Sequence, residues 1–187
     1  MFFTFRKKIK VDFNNLHLIE PCEHFRKDFK QAVKEHKRHN VEDFYYPSLF
    51  TKKQFLEHLQ ELKDRKHAHR FNEGVIPSTA FWLTDGNHYL GSGEIRHYLN
   101  ENLKTFGGHI GYSIRPAVWN QGIGTKLLSL LLTEAKKMGI KTARITCFDE
   151  NIASAKVMEK NNAVFMGTAI NNIRGEERLT RIYDIEL

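Results

Sequence analysis

Apolar and polar positions change their period twice along the chain. Leu16-His17-Leu18-Ile19 reads as a short first strand. Two stretches of helical spacing follow, roughly 22–38 and 51–66, and in the second Phe55, Leu59 and Leu62 fall on one face behind Thr51, a good helix cap. From 75 to 114 the pattern is that of strands: Val75 to Thr84, His88 to Arg96 and His109 to Ile114. Asp85-Gly86-Asn87 makes a hairpin turn between the first two, and the polar stretch Asn100 to Gly107 separates the second from the third. A long helix is predicted over about 120–138, with Ile123, Leu127, Leu130, Leu131, Ala135 and Met138 as its apolar stripe and Gly139 as its stop. Alternation returns at Ala143, Ile145 and Cys147, Asn151 opens a helix to about Asn161, and strands at Val164 to Ala169 and Leu179 to Leu187 end the chain.

This order predicts an α/β (α+β) fold with a mixed sheet. Hairpins in the middle imply antiparallel pairing, whereas strand, helix, strand, helix, strand in the last third implies parallel pairing with a helical crossover. No repeat, low-complexity tract or proline-rich linker divides the sequence, so residues 1–187 are expected to form one domain. At this length roughly 70% of the unfolded chain's surface can be buried, enough for a core without staples. Cys22 and Cys147 stand far apart with no CxxC spacing, which argues against a disulfide framework or zinc knuckle and predicts a reducing, cytoplasmic setting. The opening residues place apolar positions before Arg6-Lys7-Lys8, the reverse of a secretory signal, and no apolar run approaches the ~20 residues of a bilayer span.

The formal charge of +7 favours an acidic partner without choosing one. Its densest patches, Lys34 to Arg38 and Lys63 to Arg70, read as solvated helix faces, and no aromatic-rich basic motif accompanies them, so nucleic acid is not the expected partner. His67 and His69 lack a carboxylate or cysteine cluster of suitable spacing, and no metal is expected.

Chemistry concentrates in His109 to Leu128: a strand, a short loop containing Gly122 and Gly124, and a helix start. The first N–H groups of a helix lack intrahelical partners and carry the positive end of its dipole, so a pyrophosphate could rest there on main-chain donors. A P-loop would require Lys and then Ser or Thr directly after the last glycine, where Thr125-Lys126 stands. A dinucleotide fold would want a third glycine at Leu127 and more chain downstream.

With Trp119-Asn120-Gln121-Gly122-Ile123-Gly124 after a strand ending at Arg115-Pro116, the segment resembles the acetyl-CoA signature of the GNAT superfamily of N-acetyltransferases. Asn151 to Asn161, with Asn151 and Ser154, resembles that family's helix beside the pantetheine arm. The aromatic Trp119, in place of the usual Gln or Arg, is similar to the branch that acetylates ribosomal-protein termini. The resemblance implies a central twisted mixed sheet with about four helices, and acetyl-CoA as co-substrate held by Tyr112, Ser113, Ile114, Trp119, Asn120, Gln121, Gly122, Ile123, Gly124, Thr125, Asn151 and Ser154. It also implies that the strands 109–114 and 142–148 splay apart, and that the acceptor is an amine of a small molecule or protein; a homodimer is compatible with it.

Glu94 is the candidate base, with His97 and His109 as lesser ones. Met158 stands where many members carry a tyrosine acid, which leaves solvent or Tyr112 to protonate the leaving thiolate. That departure and the charge keep a second reading open, an inactive CoA-binding or basic interaction domain. Phe81 and Trp82, and the loop around Val41 to Phe50 with Glu42 and Asp43, are the places where acceptor choice is expected to reside.

Overall fold

A computed structural model describes residues 9–41, 51–70 and 75–187; residues 42–50 of the predicted acceptor loop, Glu42 and Asp43 among them, lie outside the described residues. Strands β1 (His17–Ile19), β2 (Ser78–Thr84), β3 (Tyr89–Arg96) and β4 (Ile110–Ile114) form one sheet in that order. A second sheet has the order β5 (Thr142–Phe148), β7 (Glu176–Glu186), β6 (Val164–Ile173). The helices are α1 (Arg26–Arg38), α2 (Lys52–Asp64), α3 (Glu101–Thr105), α4 (Ile123–Lys137) and α5 (Ile152–Glu159).

Among the described residues all five hydrogen-bonded strand pairs are antiparallel, and the expected parallel ladder is not among them. β5 and β6 do run in the same direction, as a crossover through α5 requires, but β7 inserts between them and pairs with both. The β6 and β7 strands are longer than expected because they continue to a tight hairpin at Arg174 and Gly175, both with positive φ. The polar stretch after β3 holds the short helix α3, capped by Asn100, whose side chain accepts from the Leu103 N–H.

Alternation along β2 feeds two cores. Leu83, Ile95 and Ile110 pack under Leu127, Leu128 and Leu131 of α4, joined from the second sheet by Ile145, Tyr183 and Ile185. On the other face Trp82 and Tyr89 meet Phe29, Ala32 and Val33 of α1 and Phe55 and Leu59 of α2. Trp82 stacks on Phe29, centroids 4.9 Å apart, while Phe81 is half-buried against the first core. The Trp82 side chain therefore belongs to the packing beneath α1 and α2 and is only 1% exposed.

α1 is held by charge as well as packing. Asp28 and Glu35, seven residues apart, share the inward face of an otherwise basic helix and meet Arg115, which is 4% exposed. The guanidinium grips Glu35 through Nε (3.0 Å) and Nη2 (3.1 Å), and donates from Nη1 to Asp28 (2.7 Å) and the Tyr89 carbonyl (3.3 Å). Glu35 also accepts from the Ala117 N–H, so the loop after β4 is tied to α1 at two points. Burial alone would raise the Glu35 pKa, but the hydrogen bonds and charge of Arg115 outweigh it and hold the carboxyl below its ordinary value.

Arg115→Met leaves two carboxylates facing a poorly solvated pocket and is expected to cost about 3–5 kcal/mol in urea unfolding. Lys137→Ala, which removes an exposed pair with Glu134, is expected to cost less than about 1 kcal/mol in the same measurement.

Candidate active site

β4 and β5 touch at one point and then part. Gly108 sits at φ 62°, and a Cβ there would lie 2.4 Å from the Arg144 carbonyl oxygen, so only glycine allows so close an approach. The His109 N–H donates to that carbonyl (2.6 Å), the Arg144 N–H donates to His109 Nδ1 (3.0 Å), and the Gly107 N–H donates to Thr146 Oγ1 (2.8 Å). Gly108 and Ile145 form an isolated bridge, and no named strand pair joins β4 to β5. Burial lowers the His109 pKa, and its Nδ1 accepts a backbone proton, so this ring is a neutral strut at the pivot. His97 is engaged by the Thr79 hydroxyl at 2.9 Å.

Register decides which groups of β4 are open. The Arg96 N–H to His109 carbonyl bond (2.8 Å) and the Arg115 N–H to Leu90 carbonyl bond (2.9 Å) mark hydrogen-bonded pairs at both ends of the β3–β4 ladder. By antiparallel alternation, Gly111 and Ser113 turn their main-chain groups to β3, and Ile110, Tyr112 and Ile114 turn theirs toward the gap. Of the three residues expected to offer backbone to pantetheine, Ser113 spends its amide on Ser92, and Tyr112 and Ile114 remain. The Ile114 carbonyl already accepts the Trp119 indole N–H at 2.7 Å, a structural use of that side chain.

At the end of the gap stands the start of α4. It begins at Ile123, the first residue of the apolar stripe and later than the expected start near 120, because Asn120 (φ 60°) and Gly122 (φ 81°) are left-handed. Gly122 would meet nothing within 4 Å if it carried a Cβ, so backbone conformation, not space, favours glycine there. Gly124 differs: a Cβ would lie 3.2 Å from Val157 and 3.6 Å from Ile114, and its absence lets the first turn of α4 sit against α5 and β4. Thr51, Asn100 and Asn151 each cap a helix with a side-chain oxygen, whereas α4, like α1, starts from a residue that makes no such cap, in α4 the glycine Gly122. The Lys126 N–H bonds the Gly122 carbonyl, which leaves the N–H groups of Ile123, Gly124 and Thr125 ahead of the first intrahelical bond. Asn120 and Gly122 are exposed and Gln121 half-buried around them.

α5 closes the other side. Asn151 Oδ1 accepts from the Ser154 N–H (3.0 Å), so part of its bonding capacity is spent on capping. Ser154 Oγ meets the Tyr112 hydroxyl at 2.9 Å, and Asn161 donates to the Thr125 carbonyl at 3.2 Å, so Ser154, Val157 and Asn161 form one face along the gap. Met158 is fully buried in the first core. Burial pushes the Tyr112 pKa up to about 12 despite the bond to Ser154.

Glu94 projects from β3 on the α2 side, paired in register with Gly111. Its Oε1 accepts from the Ser78 hydroxyl and from Arg65 at the end of α2 (3.2 Å), so its ion-pair partner is Arg65 and not its strand neighbour Arg96, which donates to the Gly107 and Gly108 carbonyls. Both bonds use one oxygen, and Oε2 takes none among the described residues. Beside it a Cβ on Gly111 would meet nothing within 4 Å, an opening that the sequence pattern does not reveal. Sequence reasoning also missed the tie between Asn161 and α4, and the Arg115 network, whose one visible sign is a pair of acids at helical spacing on a basic helix.

The sequence matches the acetyltransferase (GNAT) domain family over residues 18–164. A sequence search of curated proteins finds no match. Among solved structures, the fold is similar to that of the microcin C7 self-immunity acetyltransferase MccE in complex with acetyl-CoA and AMP (15% identity, 93% of both chains, TM-score 0.71). It is similar also to RimL, the ribosomal L7/L12 alpha-N-protein acetyltransferase, in complex with coenzyme A (19%, 92% of this chain and 94% of that one, 0.70). A third likeness is to the ribosomal-protein-S5-alanine acetyltransferase from Vibrio fischeri (17%, 94% of both, 0.70). At these identities the likeness is one of fold.

The Tyr112 phenol gives a pH signature. An ordinary tyrosine ionises near pH 10, so the stability tied to a raised native pKa is fully present below pH 10 and lost as pH rises through about 12. The ultraviolet titration of the protein minus that of Tyr112→Phe should show one phenol ionising close to pH 12, and Tyr112→Phe should unfold less steeply with pH over that interval.

Proposed function

The chain belongs to the GNAT acetyltransferase family, and from that premise we propose that it transfers the acetyl group of acetyl-CoA to a primary amine, with both substrates held in one ternary complex. The observation that carries this reading is the meeting of two features in one gap: the N-terminus of α4, which starts at a glycine with no side-chain cap, and the edge of β4, which beyond Gly108 pairs with no strand among the described residues. The first suits a pyrophosphate and the second an extended amide-bearing arm, and acetyl-CoA carries both.

In this proposal the N–H groups of Ile123, Gly124 and Thr125 hold the pyrophosphate, with Trp119, Asn120, Gln121 and Gly122 shaping the turn. The main-chain groups of Tyr112 and Ile114 pair with the pantetheine arm, Ser113 supporting them from the ladder, while Asn151 and Ser154 flank it from α5. Acetyl-CoA supplies its acetyl group as a thioester: the amine nitrogen forms a bond to the carbonyl carbon and the carbon–sulfur bond breaks. A main-chain N–H from the open edge of β4 donates to the thioester carbonyl, a contribution worth about 3 kcal/mol when the charge builds on oxygen. Glu94, through Oε2, takes the amine proton directly or through water, and the space over Gly111 admits the acceptor. Solvent protonates the departing thiolate, whose pKa of about 8.5 makes that step favourable at neutral pH without a dedicated acid.

MccE is named for microcin C7 self-immunity and RimL for ribosomal L7/L12, so small-molecule and protein amines both belong in a substrate panel. The burial of Met158 favours one second reading, a CoA-binding domain without turnover.

Purified protein with acetyl-CoA and a panel of small amines and N-terminal peptides should release CoA thiol. Glu94→Gln is expected to lower kcat by about 10²–10⁴-fold with acetyl-CoA affinity unchanged. Gly111→Leu is expected to raise KM for the amine at unchanged acetyl-CoA affinity. Tight acetyl-CoA binding with no thiol release on any amine would replace catalysis by the binding reading.

A further inference from the structure

Arg96 carries a charge that no carboxylate answers among the described residues. It stands half-buried on β3, two residues after Glu94 and on the same face of the sheet, with Gly111 opposite Glu94 on β4. Its Nη1 donates to the Gly107 and Gly108 carbonyls (3.1 and 2.9 Å), while Nε and Nη2 have no partner among the described residues. Arg65, Arg115, Arg144, Arg178 and Arg181 each form an ion pair with a carboxylate. The nearby acid Glu94 is taken by Arg65, which also pairs with Glu61. Burial lowers the Arg96 pKa below the ordinary arginine value, and the charge of Glu94 offsets only part of that. A cation drawn out of water with unspent donors is a place for an anion to complete.

Position says which anion. The turn into α4 lies at the Ile114 end of β4, where a Cβ on Gly124 would come within 3.6 Å, and the Gly108 pivot lies at the other end. A donor whose pyrophosphate rests on that turn brings its thioester toward Gly111. Arg96, whose N–H bonds the His109 carbonyl, lies past that point toward the pivot. An acceptor whose amine meets Glu94 therefore extends along the sheet toward Arg96. Nε and Nη2 form one edge of the guanidinium fork, the edge that takes a carboxylate through two parallel bonds.

We propose that the acceptor is a free amino acid, whose amine meets Glu94 Oε2 while its carboxylate accepts from Nε and Nη2 of Arg96. This rests on the catalytic reading above and names its substrate class. Residues two apart on a strand have Cα atoms roughly 7 Å apart, a span suited to two hydrogen bonds and the single carbon between an amine and a carboxylate. The amine nitrogen bonds the acetyl carbon as the carbon–sulfur bond breaks, its proton passes to Glu94, and the carboxylate is unchanged. A protein N-terminus, whose first carboxyl is tied in a peptide bond, brings no charge to the Arg96 edge.

Thiol release from acetyl-CoA is to be measured with the common amino acids, each beside its own carboxamide, and with dipeptides and O-phosphoethanolamine. For the best amino acid, kcat/KM should exceed that of its carboxamide by about 10–100-fold, the scale of a charge-assisted hydrogen-bonded pair. Arg96→Met should bring that ratio close to one, chiefly through KM for the amino acid, and Arg96→Lys should restore part of it. Both acceptors are compared on one protein, so an effect of the substitution on the Gly108 pivot cancels from the ratio. Calorimetry on the unsubstituted chain loaded with CoA needs no variant: the N-acetyl amino acid should bind at least about 10-fold more tightly than its N-acetyl carboxamide. Equal turnover of acids and carboxamides, a preference for the dipeptide or the phosphate amine, equal binding of the two acetylated compounds, or a ratio unchanged in Arg96→Met would overturn the proposal and leave acetyl transfer standing. No thiol release from any amine would overturn the catalytic reading and this proposal with it.

Discussion

A β-strand left without a neighbour exposes a row of amide donors and acceptors, and the fold is arranged around keeping one such row open. β4 is bound to β3 on one side and fixed to β5 at Gly108 and His109, and beyond that pivot its outward groups at Tyr112 and Ile114 face a gap. The close approach at Gly108 sets where the strands part. α5 keeps the gap from collapsing, since Ser154 holds the Tyr112 hydroxyl and Asn161 holds the first turn of α4. An open edge between two packed sheets costs hydrogen bonds, and a bound strand-like ligand restores them.

The phosphate end follows the same logic. Three other helices cap themselves with a side-chain oxygen, while α4 starts from a left-handed glycine with nothing in that place. In the proposed function its leading N–H groups and dipole receive the pyrophosphate. The Arg115 fork gives that turn a firm base, because it ties the loop ahead of α4 to α1 and to the start of β3 through Arg115 and Glu35, both almost fully removed from water, and the half-buried Asp28. Buried ion pairs are a poor source of net stability, but they resist rearrangement, which suits a loop that must present donors in one geometry.

Much of this was legible in the sequence. Helical period revealed α4, strand alternation revealed the β2–β3–β4 meander, and the loop with its glycines pointed to a phosphate. α3 stayed hidden because five residues are too few to show a period. The predicted parallel ladder failed for a topological reason: a crossover through α5 makes β5 and β6 run alike, but whether they are neighbours depends on where the last strand inserts, and β7 enters between them. Side-chain roles were harder to read. Trp119 and Asn151 stand in motif positions, yet both also serve local structure, one on the Ile114 carbonyl and the other as a cap. Ser113 could be told from Tyr112 and Ile114 only once the register with β3 was known. The Arg115 network joins Glu35 and Asp28 to a residue 80 and 87 positions further on, and its one local sign is that pair of acids on a basic helix.

The most direct measurement is amide hydrogen exchange, residue by residue, with and without saturating acetyl-CoA. Slowed exchange at Tyr112 and Ile114 together with Ile123, Gly124 and Thr125, and little change at Gly111 and Ser113, is the expected result. Saturation that leaves the β4 edge and the first turn of α4 exchanging as before would place the donor elsewhere and contradict it.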